Sequence, residues 1–226
     1  MSMSSVRPEV IRALQTLNTP TVSNAIETFD VRPRSTGYMT SEIRCALPDL
    51  GPMVGYAATA KIRTTLKPEA GAAIDRRVMW EHILSLPEPR VVVIQDLDDY
   101  PLGSFWGEVN ANIHRALGCV GTVTNGGVRD LDEVEALGFH LFAGHIHVSH
   151  AYVHVVEVGT PVEFGGLTVN PGDLLHGDKH GIVNIPLDIA DRVFQAAKEV
   201  DDRERKIIDL CKSPDFSVEK LYALYH

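Results

Sequence analysis

Four consecutive aliphatic residues, Val91-Val92-Val93-Ile94, constrain the fold more than any other stretch of the 226-residue chain. Side chains alternate between the two faces of a strand, so an unbroken apolar run needs cover on both sides. The segment 90–96 therefore reads as an interior strand. Helical and strand patterns alternate around it, as in an α/β domain. Residues 53–63 read as a second strand, and Ile74, Val78, Ile83 and Leu84 predict a helix over 72–85.

The rest of the chain follows the same alternation. Val10, Ile11, Leu14 and Leu17 predict a short N-terminal helix. Thr19-Pro20 fits an N-cap and first position for a second helix, over 21–29. Residues 31–52 are rich in Pro, Gly and Arg and read as a long solvated loop carrying Arg32, Arg34 and Arg44. A helix over 131–137 precedes a strand over 139–143. Short strands follow at 155–158, 162–164, 167–169, 174–176 and 182–185. Gly165-Gly166 marks a tight hairpin, and Asn170-Pro171-Gly172-Asp173 a turn of type II character. Pro186 precedes a long charged helix over 187–210. The expectation is a single domain over 1–226, with N-terminal helices in 8–30 and a C-terminal helical extension over 187–226.

Charge narrows the function. The formal net charge of −9 disfavours general nucleic-acid binding, which needs clustered cations, and disfavours an anionic membrane surface. No apolar run reaches transmembrane length, and the first residues lack the apolar core of a signal peptide. Cys45, Cys119 and Cys211 lie far apart without a CxxC, which fits a reduced, cytoplasmic chain. Cys119 opens an apolar strand and reads as a packing residue.

The candidate chemistry lies between Gly107 and Asp130, GEVNANIHRALGCVGTVTNGGVRD. Val109, Ile113, Ala116 and Leu117 predict a helix over 106–117, ended by Gly118 in a left-handed conformation. A strand over 120–124 returns the chain across the helix length, and Asn125-Gly126-Gly127 reads as the turn after it. Glu108 can therefore lie near Arg129 and Asp130. A carboxylate suits a hard cation such as Mg²⁺, which takes one or two protein carboxylates and keeps several waters. A guanidinium suits a substrate carboxylate. The backbone N–H groups of Gly107, Glu108, Val109 and Asn110, at a helix start, suit an anion. Each residue also has a plainer reading: Asp130 as the cap of the next helix with Glu133 three residues on, Glu108 as a first-turn acid, Arg129 as a surface ion-pair partner.

Glu108, twenty intervening residues and then Arg129-Asp130 resemble the acid-x20-Arg-Asp signature of the RraA-like family. Flanking segments extend the resemblance: Val54-Gly55-Tyr56-Ala57-Ala58-Thr59, Gly118-x-x-Gly121, Gly138-Phe139-x-Leu141-Phe142-Ala143 and Gly159-x-Pro161-Val162. Further on come Gly165-Gly166-Leu167-x-Val169-x-Pro171-Gly172-Asp173 and Gly177-Asp178-x-x-Gly181-Ile182-Val183. The resemblance spans 8–210. It implies the swivelling β/β/α layered fold, assembled as trimers or hexamers with sites between subunits. It also implies a class II pyruvate aldolase acting on 4-hydroxy-4-methyl-2-oxoglutarate, with oxaloacetate decarboxylation beside it. By position, Asp130 would ligate Mg²⁺ (Mn²⁺ or Co²⁺ as alternatives) and Glu108 would hold a metal-bound water. Arg129 and the backbone of Gly107, Glu108, Val109 and Asn110 would bind the oxo acid, and Glu204 could reach a neighbouring subunit's site. Glu108 in place of Asp, Asn125-Gly126-Gly127 in place of an Asp-Gly turn, His140 in place of Pro and Asn24 in place of Asp depart from the pattern and bear on the substrate more than the metal. The family also contains a non-catalytic regulator of an RNA-degradation enzyme, which is the alternative.

Three further groups invite functional readings. Asp96, Asp98 and Asp99 could gather a metal, but read as a solvated loop bordering the pocket of Glu108. The segment His145-Ile146-His147-Val148-Ser149-His150, with His154, lacks the Cys or acid that would complete a zinc set, and reads as polar lining of a substrate mouth or a subunit contact. His150 or His154 is a candidate proton donor. Asp178 reads as a turn carboxylate bonding its own backbone.

Overall fold

The computed structural model describes residues 5–225. Helices α1 (Pro8–Leu14) and α2 (Thr19–Glu27) come first, followed by strands β1 (Arg44–Cys45) and β2 (Met53–Arg63). Helix α3 (Arg76–Leu84) leads to β3 (Arg90–Asp96) and β4 (Ser104–Trp106). Then come α4 (Glu108–Ala116), β5 (Cys119–Val128), α5 (Leu131–Leu137) and β6 (His140–Ile146). Strands β7 (His154–Val158), β8 (Val162–Phe164), β9 (Leu167–Val169), β10 (Leu174–Asp178) and β11 (Gly181–Ile185) precede α6 (Ala190–Lys212) and α7 (Val218–Tyr225).

Among the described residues nine strands form one sheet, with the path β1-β6-β5-β3-β2-β10-β11; β4 adds to β5 and β7 to β2. The neighbours β2, β3, β5 and β6 are parallel. Because these strands follow one another in sequence across the sheet, their helices can share one face. Val92, Ile94, Leu141 and Ala143 point to that face and meet Met79, Ile83, Ala111 and Val134 of α3, α4 and α5. Val91, Val93 and Phe142 point the other way, onto the β8–β9 hairpin through Val162, Phe164, Leu167 and Val169. This gives the swivelling β/β/α layering: a small sheet, the large sheet, then helices. Helices α1, α2 and α6 cover the remaining part, over Val54, Tyr56, Leu174 and Val183.

The apolar run at 91–94 is fully buried, as its sequence requires. Gly165 and Gly166 both have positive φ, the backbone that joins two strands with a matching twist. Several expectations shift. Asn18 caps α2, accepting from Thr21 N at 2.9 Å, so Thr19 is already helical. The helix expected over 106–117 begins at Glu108, because Ser104–Trp106 pairs with the end of β5. The helix expected from 72 begins at Arg76, where the Asp75 side chain accepts from Arg77 N. The strand expected to stop at 143 runs on to Ile146, and the final helix spans Ala190–Lys212. Asn125-Gly126-Gly127 is not a turn: it lies inside β5, where the register against β6 shifts. Among the described residues no helix is long and apolar enough to cross a membrane.

Candidate active site

Parallel strands whose helices share a face bring their carboxyl ends to one edge, where ligands of open α/β sheets bind. Here the segments after β2, β5 and β6 converge with β4 and the start of α4 around a cavity of about 520 Å³. Gly107, Asn110, Arg129, Asp130 and His150 are among its lining residues.

Asp130 is the centre of the geometry. It sits at the N-cap position of α5 but with φ 55°, left-handed, and makes no capping bond to its own helix. Its Oδ2 instead accepts the backbone N–H of Glu108 at 2.9 Å, at the start of α4. The plainer reading of Asp130 as the cap of the helix that follows it therefore fails on geometry. Arg129 N bonds Trp106 O at 2.9 Å, which fastens the two segments together. Gly107 makes the approach possible: a Cβ there would lie 2.4 Å from Asp130 Oδ2. Its φ of −158° is open to any residue, so the requirement is space alone.

Arg129 lies beside the carboxylate, Nε to Oδ2 3.9 Å, and donates from Nη1 to Val148 O at 3.3 Å. Both side chains are partly open to solvent. Glu108 brings its backbone to the site, but its side chain is exposed, and the cavity wall at the helix start consists of Gly107, Val109 and Asn110. Asn110 is fixed through its side chain, which donates from Nδ2 to Phe105 O.

Residues that sequence reasoning did not single out also line the cavity: Arg76 at the start of α3, Lys67 after β2, and Tyr152. None carries a local signal, since each comes from a different segment. Of the histidines, His150 faces this cavity. Its Nδ1 donates to Ala151 O at 2.8 Å. A carbonyl only accepts, so the neutral ring keeps Nε2 as an acceptor. His147 is tied to Pro101 O and His154 to Tyr152 O.

The acids after β3 do not border this cavity. Asp98 and Asp99 line a separate one, with Arg44 and His145. Asp96 and Asp98 are also not simply solvated. Asp96 accepts from Thr64 Oγ1 and Asp98 N, and burial raises its pKa. Burial alone would raise Asp98 as well, but bonds from Thr64 N, Thr65 N and Arg63 hold it at about 2. Asp178 does bond its own turn, accepting from His180 N at 2.8 Å. The segment 31–52 is not simply a solvated loop: it contains β1, and Arg32 donates to Asn184 O. Glu204 accepts from Asn24 on the same chain, at 3.4 Å. Cys119 is buried, which pushes its thiol up to about 12.

The donor set fits a hydrated hard cation. Asp130 Oδ1 meets no donor among the described residues, and no three His, Cys, Asp or Glu side chains are placed to enclose a metal. One free carboxylate oxygen with room for waters is what Mg²⁺ accepts and a closed tetrahedral site is not.

Comparison with known proteins gives a consistent picture. A family profile described as RraA-like: Aldolase/RraA matches residues 19–184. A Halalkalibacterium halodurans protein provisionally named 4-hydroxy-4-methyl-2-oxoglutarate aldolase is 27% identical over 212 residues, covering 92% of each chain. An uncharacterised protein from Pseudomonas syringae pv. tomato superposes with a TM-score of 0.76 at 24% identity, over 99% of this chain and 97% of the other. A Streptomyces coelicolor structure, described as an unusual member of the RNase ES inhibitor RraA family, gives 0.70 at 20% identity, over 89% and 96%.

Proposed function

The chain belongs to the RraA-like family, and from that premise we propose that it is a divalent-metal-dependent carbon–carbon lyase that releases pyruvate from a 4-hydroxy-2-oxo acid such as 4-hydroxy-4-methyl-2-oxoglutarate, and from oxaloacetate. One observation carries this reading. The Asp130 carboxylate, the Arg129 guanidinium and the start of α4 line one cavity, and among the described residues no donor meets Asp130 Oδ1.

In this reading Asp130 Oδ1 would hold the cation, Mg²⁺ first and Mn²⁺ or Co²⁺ as alternatives, and Glu108 would hold one of its waters. The bound cation would supply Lewis-acid polarisation of the 2-oxo group. Arg129 binds the substrate carboxylate, and the α4 start adds the favourable end of its dipole. A base takes the proton of the C4 hydroxyl, the C3–C4 bond breaks, and its electrons pass into the pyruvate enolate. Protonation at C3 then gives pyruvate. Arg129 stabilises the charge that develops on the enolate oxygen. His150, which lines the same cavity, is the candidate to move one of these protons. The protein would assemble as a trimer or hexamer, with Glu204 reaching a neighbour's site.

A coupled pyruvate assay over several 4-hydroxy-2-oxo acids and oxaloacetate tests the reading. EDTA should abolish pyruvate release, and Mg²⁺ or Mn²⁺ should restore it. Turnover indifferent to chelator removes the metal. Unchanged turnover in His150→Ala and His154→Ala removes histidine from proton transfer. No turnover at all, together with tight capture of an RNA-degradation ribonuclease, would replace the lyase by the regulator.

A further inference from the structure

The cavity carries more positive charge than bond cleavage at Arg129 and Asp130 uses. Arg76 and Lys67 line it as well. Several other arginines of the chain meet acids, among them Arg63 with Asp98 at 2.8 Å, Arg77 with Glu81 at 2.7 Å and Arg90 with Glu88 at 2.9 Å. Arg76, the immediate neighbour of Arg77, does not. Its guanidinium lies over the Phe105 ring, 5.5 Å from the centroid, and reaches Asn110 Oδ1 at 3.5 Å. Among the described residues neither Arg76 nor Lys67 meets a carboxylate. The Arg76 charge is felt nearby: after burial itself, it helps to lower the pKa of His114, at about 4.

Two cations without acid partners, facing one cavity in a chain of net charge −9, call for an anion from outside. Stacking on Phe105 limits the freedom of the Arg76 guanidinium before a ligand arrives, so less is lost on binding. Its polar partner Asn110 belongs to the same first turn of α4 as Glu108, whose N–H holds Asp130. Arg76 and Arg129 thus line the same cavity, each fixed to the start of α4 through its own neighbour, Asn110 or Asp130.

We propose that Arg76, assisted by Lys67, binds an anionic group at the far end of the substrate, so that the site selects 2-oxo acids with a charged tail, carboxylate or phosphoryl, over the same reacting centre with a neutral tail. This rests on the lyase reading above.

The test is steady-state kinetics of the metal-loaded full chain on three substrates that share the pyruvate-forming half. These are 4-hydroxy-2-oxopentanoate with a neutral tail, 4-hydroxy-2-oxoglutarate with a carboxylate, and a 6-phosphorylated 4-hydroxy-2-oxohexanoate. Arg76→Met keeps the stem over Phe105 and removes the charge. It should raise KM for the preferred charged tail by about ten- to a hundred-fold, the range of a hydrogen bond to a charged group, and leave KM for the neutral tail unchanged. Arg76→Lys should recover part of the loss, and Lys67→Gln should raise KM by about threefold, as for an exposed charge. The two charged substrates distinguish carboxylate from phosphoryl. Equal changes on all three substrates, or a wild-type preference for the neutral tail, overturn the proposal. If the wild-type protein cleaves none of them, the lyase reading falls, and calorimetry decides the subsite. Tighter binding of 2-oxoglutarate than of 2-oxopentanoate, lost in Arg76→Met, supports it, and equal binding overturns it.

Discussion

Two aspartates in this protein do the same local thing with opposite consequences. Asp130 and Asp178 each follow or end a strand, and each accepts a backbone N–H at the start of a remote helix, Glu108 N at 2.9 Å and Thr19 N at 2.9 Å. Asp178 then spends its other oxygen on His180 N and His180 Nδ1, at 2.8 and 3.0 Å, and is 5% exposed. Asp130 leaves Oδ1 without a donor among the described residues, with its side chain 40% exposed beside a cavity. A carboxylate on a helix start is thus no mark of function by itself. What separates the two is whether any acceptor capacity remains and where it faces.

The same substitution at both positions breaks or sharpens that contrast. Asp130→Asn keeps the shape, an acceptor for Glu108 N–H and a residue type that tolerates positive φ. It removes the charge. Turnover should fall by ~10³-fold, comparable to losing a group aimed at developing charge, with little change in melting temperature. Pyruvate assays beside thermal melts read both. Gly107→Ala reaches the same carboxylate indirectly, since the new Cβ would sit 2.4 Å from Oδ2 and 3.1 Å from Arg129 Cγ. Misplacement of this kind should cost about 10²-fold in turnover. A Gly107→Ala protein as active as wild type would mean that the Asp130–Glu108 contact does not set the site.

Asp178→Asn should do the reverse. An amide presents one acceptor where three N–H groups point at two oxygens, so an NH₂ must face a donor. The loss should be about 2 kcal/mol of stability, with turnover per folded molecule unchanged. The pH dependence has a definite sign. Burial opposes ionisation of Asp178, but bonds from Thr19 and His180 outweigh it and lower the pKa. A depressed carboxylate stabilises the fold above its ordinary pKa of about 3.9, and that stability fades as pH falls through the lower folded value. The variant should therefore lose less stability than wild type between neutral pH and the acid limb. Parallel acid unfolding curves for the two proteins would deny Asp178 this role.

How much of this was legible in the sequence follows from the physics of each element. The strands Met53–Arg63 and Arg90–Asp96, helix Leu131–Leu137 and the hairpin at Gly165-Gly166 carry strong local patterns, and the structure keeps their bounds. Asn125-Gly126-Gly127 misleads because glycine is there for space, not for a turn. A Cβ on Gly127 would lie 2.6 Å from the His147 ring, and one on Gly144 2.5 Å from Asn125 O. The meeting of Gly107-Glu108 with Arg129-Asp130 was readable because a helix followed by a returning strand must bring its ends together. That Asp130 would ignore its own helix was not readable, since the N-cap spacing is equally good for both outcomes. Arg76, Lys67 and His150 were out of reach as a set. They join the cavity only through crossovers whose packing no local pattern reports.

Glu108 is where the contrast can be drawn most finely, because the residue contributes in two separable ways. Its N–H anchors Asp130, and its exposed carboxylate is assigned a water of the bound cation. Glu108→Gln preserves the main chain, and with it the Asp130 contact, while removing only the charge. If the carboxylate orients a cation-bound water, the variant should lose about tenfold in metal affinity or turnover, the low end for an outer-sphere partner. Titration of activity with Mg²⁺ measures both. Since the side chain of one copy stands open to solvent, the effect should also weaken when dilution separates the subunits, if a neighbour is what closes over it. Unchanged metal affinity and turnover would reduce Glu108 to its backbone and leave Asp130 as the one acid of the site.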